Sequence, residues 1–392
     1  MIKNKNLDNP FYDPALNKRH ASAKRFKTFT LTSLVFSIAF LAFFLFDIIG
    51  KGIPAFNVAY LEVNVTYNEK TVADSRFAVE KKYRKIVSRS WLRDLPRHVE
   101  ENPSLMNTEQ TLWVLADDQV DQYLKGHHYK LKRKDKALVD EMNEADKIEK
   151  KFNTIFFTNG DSKIPENAGL FSAMVGSILT LLITMIVAFP LGVLTAIYLE
   201  EFAEDNQFTR FIEVNINNLA AIPSILFGLL GLAVYINLFG VPRSSPLVGG
   251  LTLALMTLPI IIVSSRAALR AVPDSIRQAG YGLGLTKIQV TKDHVLPLAF
   301  PGVLTGSIIG LAQAMGETAP LIIIGMIAFI PDAPGSILEA STVMPAQLFT
   351  WAGMPERMYI EKTAAGIMVL LSVLISLNAI AIYLRKKFEV KW

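Results

Sequence analysis

The chain has 392 residues, 51% of them hydrophobic, with a mean hydropathy of +0.33, and several apolar stretches reach the roughly 20 residues needed to cross a hydrocarbon core. The net charge of +5 comes from basic clusters beside those stretches, and no nucleic-acid module accompanies it. Cysteine is absent, so no disulfide supports any part of the fold.

Residues 1–28 read as a tail held in the cytoplasm by Lys18, Arg19, Lys24, Arg25 and Lys27, because basic residues beside a span stay on that side. A first span follows over 29–49, an anchor covering 29–50. Its apolar run is too long for a signal peptide, and no small-x-small cleavage site ends it. Residues 51–167 are polar and nearly balanced in charge, too long for a connecting loop and about the size of a small domain. They are expected outside the cytoplasm. The basic stretches 81–89 and 130–136 are interleaved with Glu and Asp, which makes a solvated surface the first reading and an anion or acidic partner the second. His127-His128 is a metal candidate only on paper, since no cysteine and no second cluster joins it; an exposed pair is expected.

Five more spans are expected near 170–199, 214–239, 248–269, 302–330 and 364–384, giving an all-α polytopic membrane protein with six transmembrane helices and an extracytoplasmic insertion domain. Pro190 and Pro320 predict a kink, a tilt or a short interfacial segment in the second and fifth. An acidic loop at Glu200, Glu201, Glu204 and Asp205 falls on the inner side, where acidic residues weigh little in the orientation rule. Asn215, Asn217 and Asn218 crowd the cytoplasmic entry of the third span, where a cap is the first reading and the lining of an exit the second. The C-terminal tail, 386–392, is inside, in agreement with Arg385, Lys386, Lys387 and Lys391.

Between the fourth and fifth spans the sequence reads as two short helices. Ser275 with Gln278, and Thr286 with Gln289, match capping boxes. Ile276, Ala279, Gly280 and Leu283 form one apolar stripe with Arg277 and Gln278 off it. Gly284 supplies a left-handed helix end, and Ile288 and Val295 mark the second helix, which Pro297 is expected to close. Such an elbow suits a partner's cleft; on pattern alone an ordinary linker between spans fits as well. Walker A, H-E-x-x-H and G-x-S-x-G sequences are missing, and Gly280, Gly282 and Gly284 lie between helices rather than after a strand, so no catalytic residue is assigned.

Inside the fifth span, Glu317 is a carboxylate at an expected mid-helix position, costing about 2.5 to 3.5 kcal/mol there, so it should face the bundle interior and find a cationic partner or a proton. Gln313 lies four residues earlier on the same expected face. Glu317, Gln313, Thr318 and Ser224 are the candidates for a translocation pathway, with interhelical hydrogen bonding the first reading for the hydroxyls of Thr318 and Ser224. Pro223 with Gly228 and Gly231, and Gly316 with Pro320, mark points of bending or close packing.

Gln278-Ala279-Gly280, three residues, Gly284, nine residues, His294, Val295 and Leu296-Pro297 keep the spacing of the EAA loop of ABC importer permeases, which this segment resembles. Gln278 stands where that pattern has Glu, Gly280 where it has the second Ala, and His294 where it has Ile. Pro190-Leu191-Gly192-Val193, the run from Ala196 to Glu201, Ile222-Pro223-Ser224-Ile225 and Gly316-Glu317-Thr318-Ala319-Pro320-Leu321 are similar to the PstA phosphate permease family. The resemblance implies a type I ABC importer permease core over 168–385, multi-pass in the bacterial inner membrane, with a cytoplasmic coupling loop over 271–300. It implies ATPase coupling through Ser275, Arg277, Gln278, Ala279, Gly280, Gly284, His294, Leu296 and Pro297. It also implies inorganic phosphate as cargo, a second permease of the PstC type, an ATPase of the PstB type carrying ATP and Mg, and a periplasmic phosphate-binding protein of the PstS type. No cofactor is expected on this chain. Two other readings stay open: a permease for sulfate or molybdate, and a membrane sensor with a periplasmic ligand domain.

Overall fold

A computed structural model describes residues 15–127, 129–327 and 329–388, so His128 and the end of the C-terminal tail, with Lys391, lie outside the described residues. The chain divides into two compact units, Met1–Gly50 and Lys51–Trp392. The described residues of the first are essentially one helix, α1 (Leu16–Gly52), which runs on into the second. Its middle is apolar at consecutive positions such as Leu34, Val35 and Phe36 instead of along one stripe, a pattern that suits a hydrocarbon surrounding.

The second unit begins with the insertion, whose fold the sequence left open and which adds a small sheet to the helical spans. Three strands, β1 (Asn57–Thr66), β2 (Glu109–Leu115) and β3 (Ile148–Phe152), form an antiparallel sheet in the order β2-β1-β3. Ala59, Leu61, Val63 and Val65 alternate along β1 and are buried, with Leu61 opposite Val114 and Val63 opposite Leu112. Polar residues between them kept this period-2 signal from standing out. Around the sheet lie α2 (Glu69–Ala73), α3 (Arg89–Glu101), α4 (Asp118–Leu124) and α5 (Arg133–Glu144). Helix α3 starts at Ser88, whose hydroxyl accepts from the Ser90 and Trp91 amides, and it buries Leu92, Leu95 and Val99 in the core formed with the sheet. A short helix, α6 (Ile155–Thr158), leads to the spanning bundle.

That bundle contains α7 (Phe171–Ile197), α8 (Gln207–Ala220), α9 (Ser224–Leu230), α10 (Pro246–Arg270), α11 (Asp274–Gly282), α12 (Lys287–Val290), α13 (Leu296–Gly316), α14 (Ala319–Ile323), α15 (Met344–Ala352) and α16 (Arg357–Phe388). Among the described residues five helices have the length and apolarity to cross a membrane, or six if α8 and α9 make one span. The third expected span is therefore not a single rod: α8 and the helix from Ser224 to Leu238 meet at 105°. Pro223 explains the bend, because it lacks an N–H for a continuing ladder and biases Ile222 away from helical geometry. The fifth expected span is also interrupted, since α13 ends at Gly316 and Glu317 takes an extended conformation before α14 starts.

Helix α10 sits between α7 and α13 at glycine contacts. A Cβ on Gly192 would lie 2.7 Å from Ile261 Cγ2, and one on Gly302 would lie 2.6 Å from Ala268 Cβ. Small residues let helices approach closely where apolar area alone supplies little attraction.

Candidate functional site

Helix α11 begins at Asp274 after Pro273, with no side-chain cap, so the expected Ser275–Gln278 box does not form. Asp274 in the first turn favours the positive helix end instead. The second box is present: the Thr286 amide donates to Gln289 Oε1 at 2.8 Å, and the Gln289 amide donates back to Thr286 Oγ1. Gly284 carries φ +80°, the left-handed value expected of it. Pro297 does not close this second helix. From Val290 the backbone passes through one wide turn, Thr291–Val295, into α13, and Pro297 lies in the first turn of α13, where its missing N–H is harmless.

The expected apolar stripe is split. Ile276 is half-buried and Gly280 buried, whereas Ala279 and Leu283 face outward. A Cβ on Gly280 would lie 2.7 Å from Val290 Cγ2, so the two short helices meet through that glycine. Val272, Val290 and Val295 are buried with Leu199 and Leu269 beneath the elbow. On the outer side Leu283 is 81% exposed and Ile288 64%, with Tyr281 beside them in sequence. Ser275, Gln278, Gly284, His294 and Pro297 are also exposed, and Leu296 is half-buried. The elbow thus has a buried base and an exposed apolar tip.

Arg277 points inward. It donates to Glu201 through Nη2 at 2.7 Å and Nε at 3.3 Å, and to the Leu269 and Val272 carbonyls at 3.0 and 2.8 Å. The pair is well covered, with Arg277 15% and Glu201 4% exposed. Its hydrogen bonds to Glu201 raise the guanidinium pKa, against an opposing effect of burial. Nearby, Arg270 Nε pairs with Glu200 at 2.8 and 2.9 Å, and Arg266 bridges Glu200 and Glu213. The acidic loop that carried no role in the sequence thus ties α11 to the ends of α7 and α10. Its signal was complementary charge only, distributed over elements more than 50 residues apart.

Of the residues expected in a pathway, Glu317 is not at a helix centre. It follows α13 with φ −78° and ψ 123° and is half-buried. Gln313 is exposed in the last turn of α13, and the shared face expected with Glu317 is lost because the helix stops between them. Ser224 opens α9 and Thr318 precedes α14; both are half-buried. Among the described residues no side-chain hydrogen bond joins these four, and Glu317 has no ion pair. The prolines and glycines are brought together more closely: a Cβ on Gly228 would lie 2.7 Å from the Pro320 carbonyl oxygen, which packs α9 against α14. Gly316 has open space around it.

A second polar cluster, at the start of α16, had no sequence signal beyond isolated charges. Lys125 Nζ lies 2.6 Å from Asp121 and 3.2 Å from Glu361, all three nearly buried. Lys362 is fully buried and donates to the Pro165 and Ala168 carbonyls at 2.6 Å and to Glu166 O at 3.2 Å. Ser88 donates to Glu166 Oε1 at 2.8 Å. Burial, then the Asp118 and Glu166 charges, push the Asp117 carboxyl up to about 7. His127 approaches Glu361 at 3.5 Å; His128 lies outside the described residues, and no group of three or more His, Cys, Asp or Glu among the described residues is arranged to hold a metal.

Residues 188–390 match the family described as binding-protein-dependent transport system inner membrane component, a stretch that contains the elbow, both helix breaks and α16. The chain belongs to this family. As such an inner membrane component it is a multi-pass protein without catalytic chemistry of its own. Residues 13–82 and 71–132 match a domain of unknown function, DUF3333. The inner membrane component is 33% identical over 168 residues to the probable ABC transporter permease protein YqgI of Bacillus subtilis, covering 43% of this chain and 56% of that one. It is 35% identical over 156 residues to the phosphate transport system permease protein PstA of Mycobacterium leprae, covering 40% and 51%. To the phosphate transport system permease protein PstC of Pasteurella multocida it is 28% identical over 267 residues, covering 61% and 83%. The chain spans about half the length of the first two relatives.

Proposed function

We propose that this inner membrane component is the permease subunit of an ATP-driven importer of inorganic phosphate. The observation that supports this best is the elbow: an outward apolar tip of Tyr281, Leu283 and Ile288 on a base clamped by Arg277 and Glu201 to the ends of two spans. An ATPase subunit of the PstB type, carrying ATP and Mg, docks on that tip from the cytoplasm. Its closure moves α11 and α12 as one body, and the Arg277–Glu201 pair passes the motion to α7 and α10.

Residues 51–167 lie outside the cytoplasm, where a phosphate-binding protein of the PstS type delivers the anion, and a permease of the PstC type completes the pathway. Phosphate as cargo rests on the likeness to PstA and PstC. Glu317, half-buried at a helix break, repels phosphate unless it is protonated or paired with a cation from the second permease. Ser224, Gln313 and Thr318 supply neutral hydrogen bonds along the same route. Pro223, Gly316 and Pro320 mark the points where the spans bend.

Docking is tested by co-purification. Leu283→Asp with Ile288→Asp abolishes recovery of the ATPase subunit while leaving the membrane fraction of this chain unchanged; undiminished recovery would refute the docking surface.

A further inference from the structure

The insertion domain contains a cavity of about 200 Å3 between α3 and the end of the β1–β2 ladder, lined by Tyr67, Trp91, Asp94, Leu95, His98 and Leu112. Tyr67 is 1% exposed, and among the described residues nothing hydrogen-bonds its hydroxyl; burial alone raises its pKa. Its oxygen is not fully enclosed, so on the cavity side it still meets solvent. Trp91 is half-buried, and Asp94 sits one turn on from Trp91 along α3, at the exposed rim. Asp94 has no ion pair among the described residues, and its neighbour Arg97 is turned to Glu101 at 3.0 Å.

We propose that this cavity binds a small organic ammonium. Two aromatic side chains and one carboxylate form a site for a cation with an apolar body, because ring faces and the carboxylate attract the charge while the rings accommodate the methyl or methylene groups. The Tyr67 hydroxyl, which has no hydrogen-bond partner among the described residues, supplies a hydrogen bond to an occupant that carries a hydroxyl. His98 is the one basic side chain in the lining and no Lys or Arg joins it, so with the Asp94 carboxylate one turn away phosphate is disfavoured, and one carboxylate is too few oxygens for a divalent cation. The volume is below the roughly 300–1,000 Å3 of ordinary ligand pockets, which limits the occupant to head-group size. This site is separate from the translocation reading, and loss of phosphate uptake would not bear on it.

The test is titration calorimetry on the complete complex in detergent, with choline as probe and ethanolamine and inorganic phosphate alongside. Choline gives saturable heat and phosphate none. Asp94→Asn, an exposed change that leaves the melting temperature unaltered, weakens choline at least tenfold, and Tyr67→Phe weakens ligands that carry a hydroxyl more than tetramethylammonium. Competition by phosphatidylethanolamine vesicles assigns the ammonium to a lipid head group, and its absence to a free solute. No saturable heat from choline or ethanolamine up to about 10 mM, or choline binding unchanged in Asp94→Asn, overturns the proposal.

Discussion

Arg277 has more than one carboxylate within reach, but its closest and best-covered contact is with Glu201, at the end of α7. Replacing Arg277 with Ala leaves Glu201 buried and unpaired, a change that costs about 3 kcal/mol or more. In the proposed importer the complex that contains this variant is expected to keep hydrolysing ATP at its ATPase subunit while uptake falls, measured as the ratio of transported phosphate to ATP consumed. Asp117 gives a pH signature. Its carboxyl is held well above the ordinary 3.8, at about 7, so it binds a proton more readily folded than unfolded. The stability this contributes is complete below the unfolded value and is lost as pH rises through the folded one. The melting temperature is expected to fall between about pH 4 and about pH 7, and Asp117→Asn should remove that slope. At this scale the local features were readable: Gly284 and the Thr286–Gln289 box follow from a few adjacent residues. Ser275 was misleading because Pro273 starts the helix, and the partner of Arg277 was hidden 76 residues away.

Two spans are broken where the chain carries Pro223 and the Glu317-Thr318 pair. Proline announced bending in both, yet the apolar character continues across each break, so hydropathy alone merged the pieces. Packing between α9 and α14 depends on Gly228, where an added methyl would meet the Pro320 carbonyl at 2.7 Å. Gly228→Val is expected to lower the melting temperature and uptake together, by about 1–3 kcal/mol in stability. Gly316→Ala, with open space around it, is expected to leave the melting temperature unchanged, and comparing the two by thermal melting isolates the contribution of close packing. The strands were illegible for another reason. In β1 the buried residues alternate with Tyr60, Glu62 and Asn64, and a sheet depends on partners more than 40 residues distant.

Across the second unit, the insertion domain and the spanning bundle share buried charge. Asp121 comes from α4 and Lys125 is the residue that caps it, Glu361 and Lys362 come from α16, and the 165–168 turn accepts three hydrogen bonds from Lys362. Cutting this junction with Lys125→Met strands two buried carboxylates, at a cost of roughly 3–5 kcal/mol. Faster amide exchange in α4 and in the first turns of α16, without change in β1, is the expected result. Composition announced a membrane protein with an inserted domain; it held no trace of the junction, because single buried lysines look like surface lysines in a sequence. The central claim is transport, and the direct measurement is ATP-driven uptake of radiolabelled phosphate into proteoliposomes holding this chain, its co-purifying subunits and the binding protein, with sulfate and molybdate as competitors. Uptake that neither competitor reduces is the predicted result; an assembled complex that hydrolyses ATP and accumulates no phosphate would contradict it.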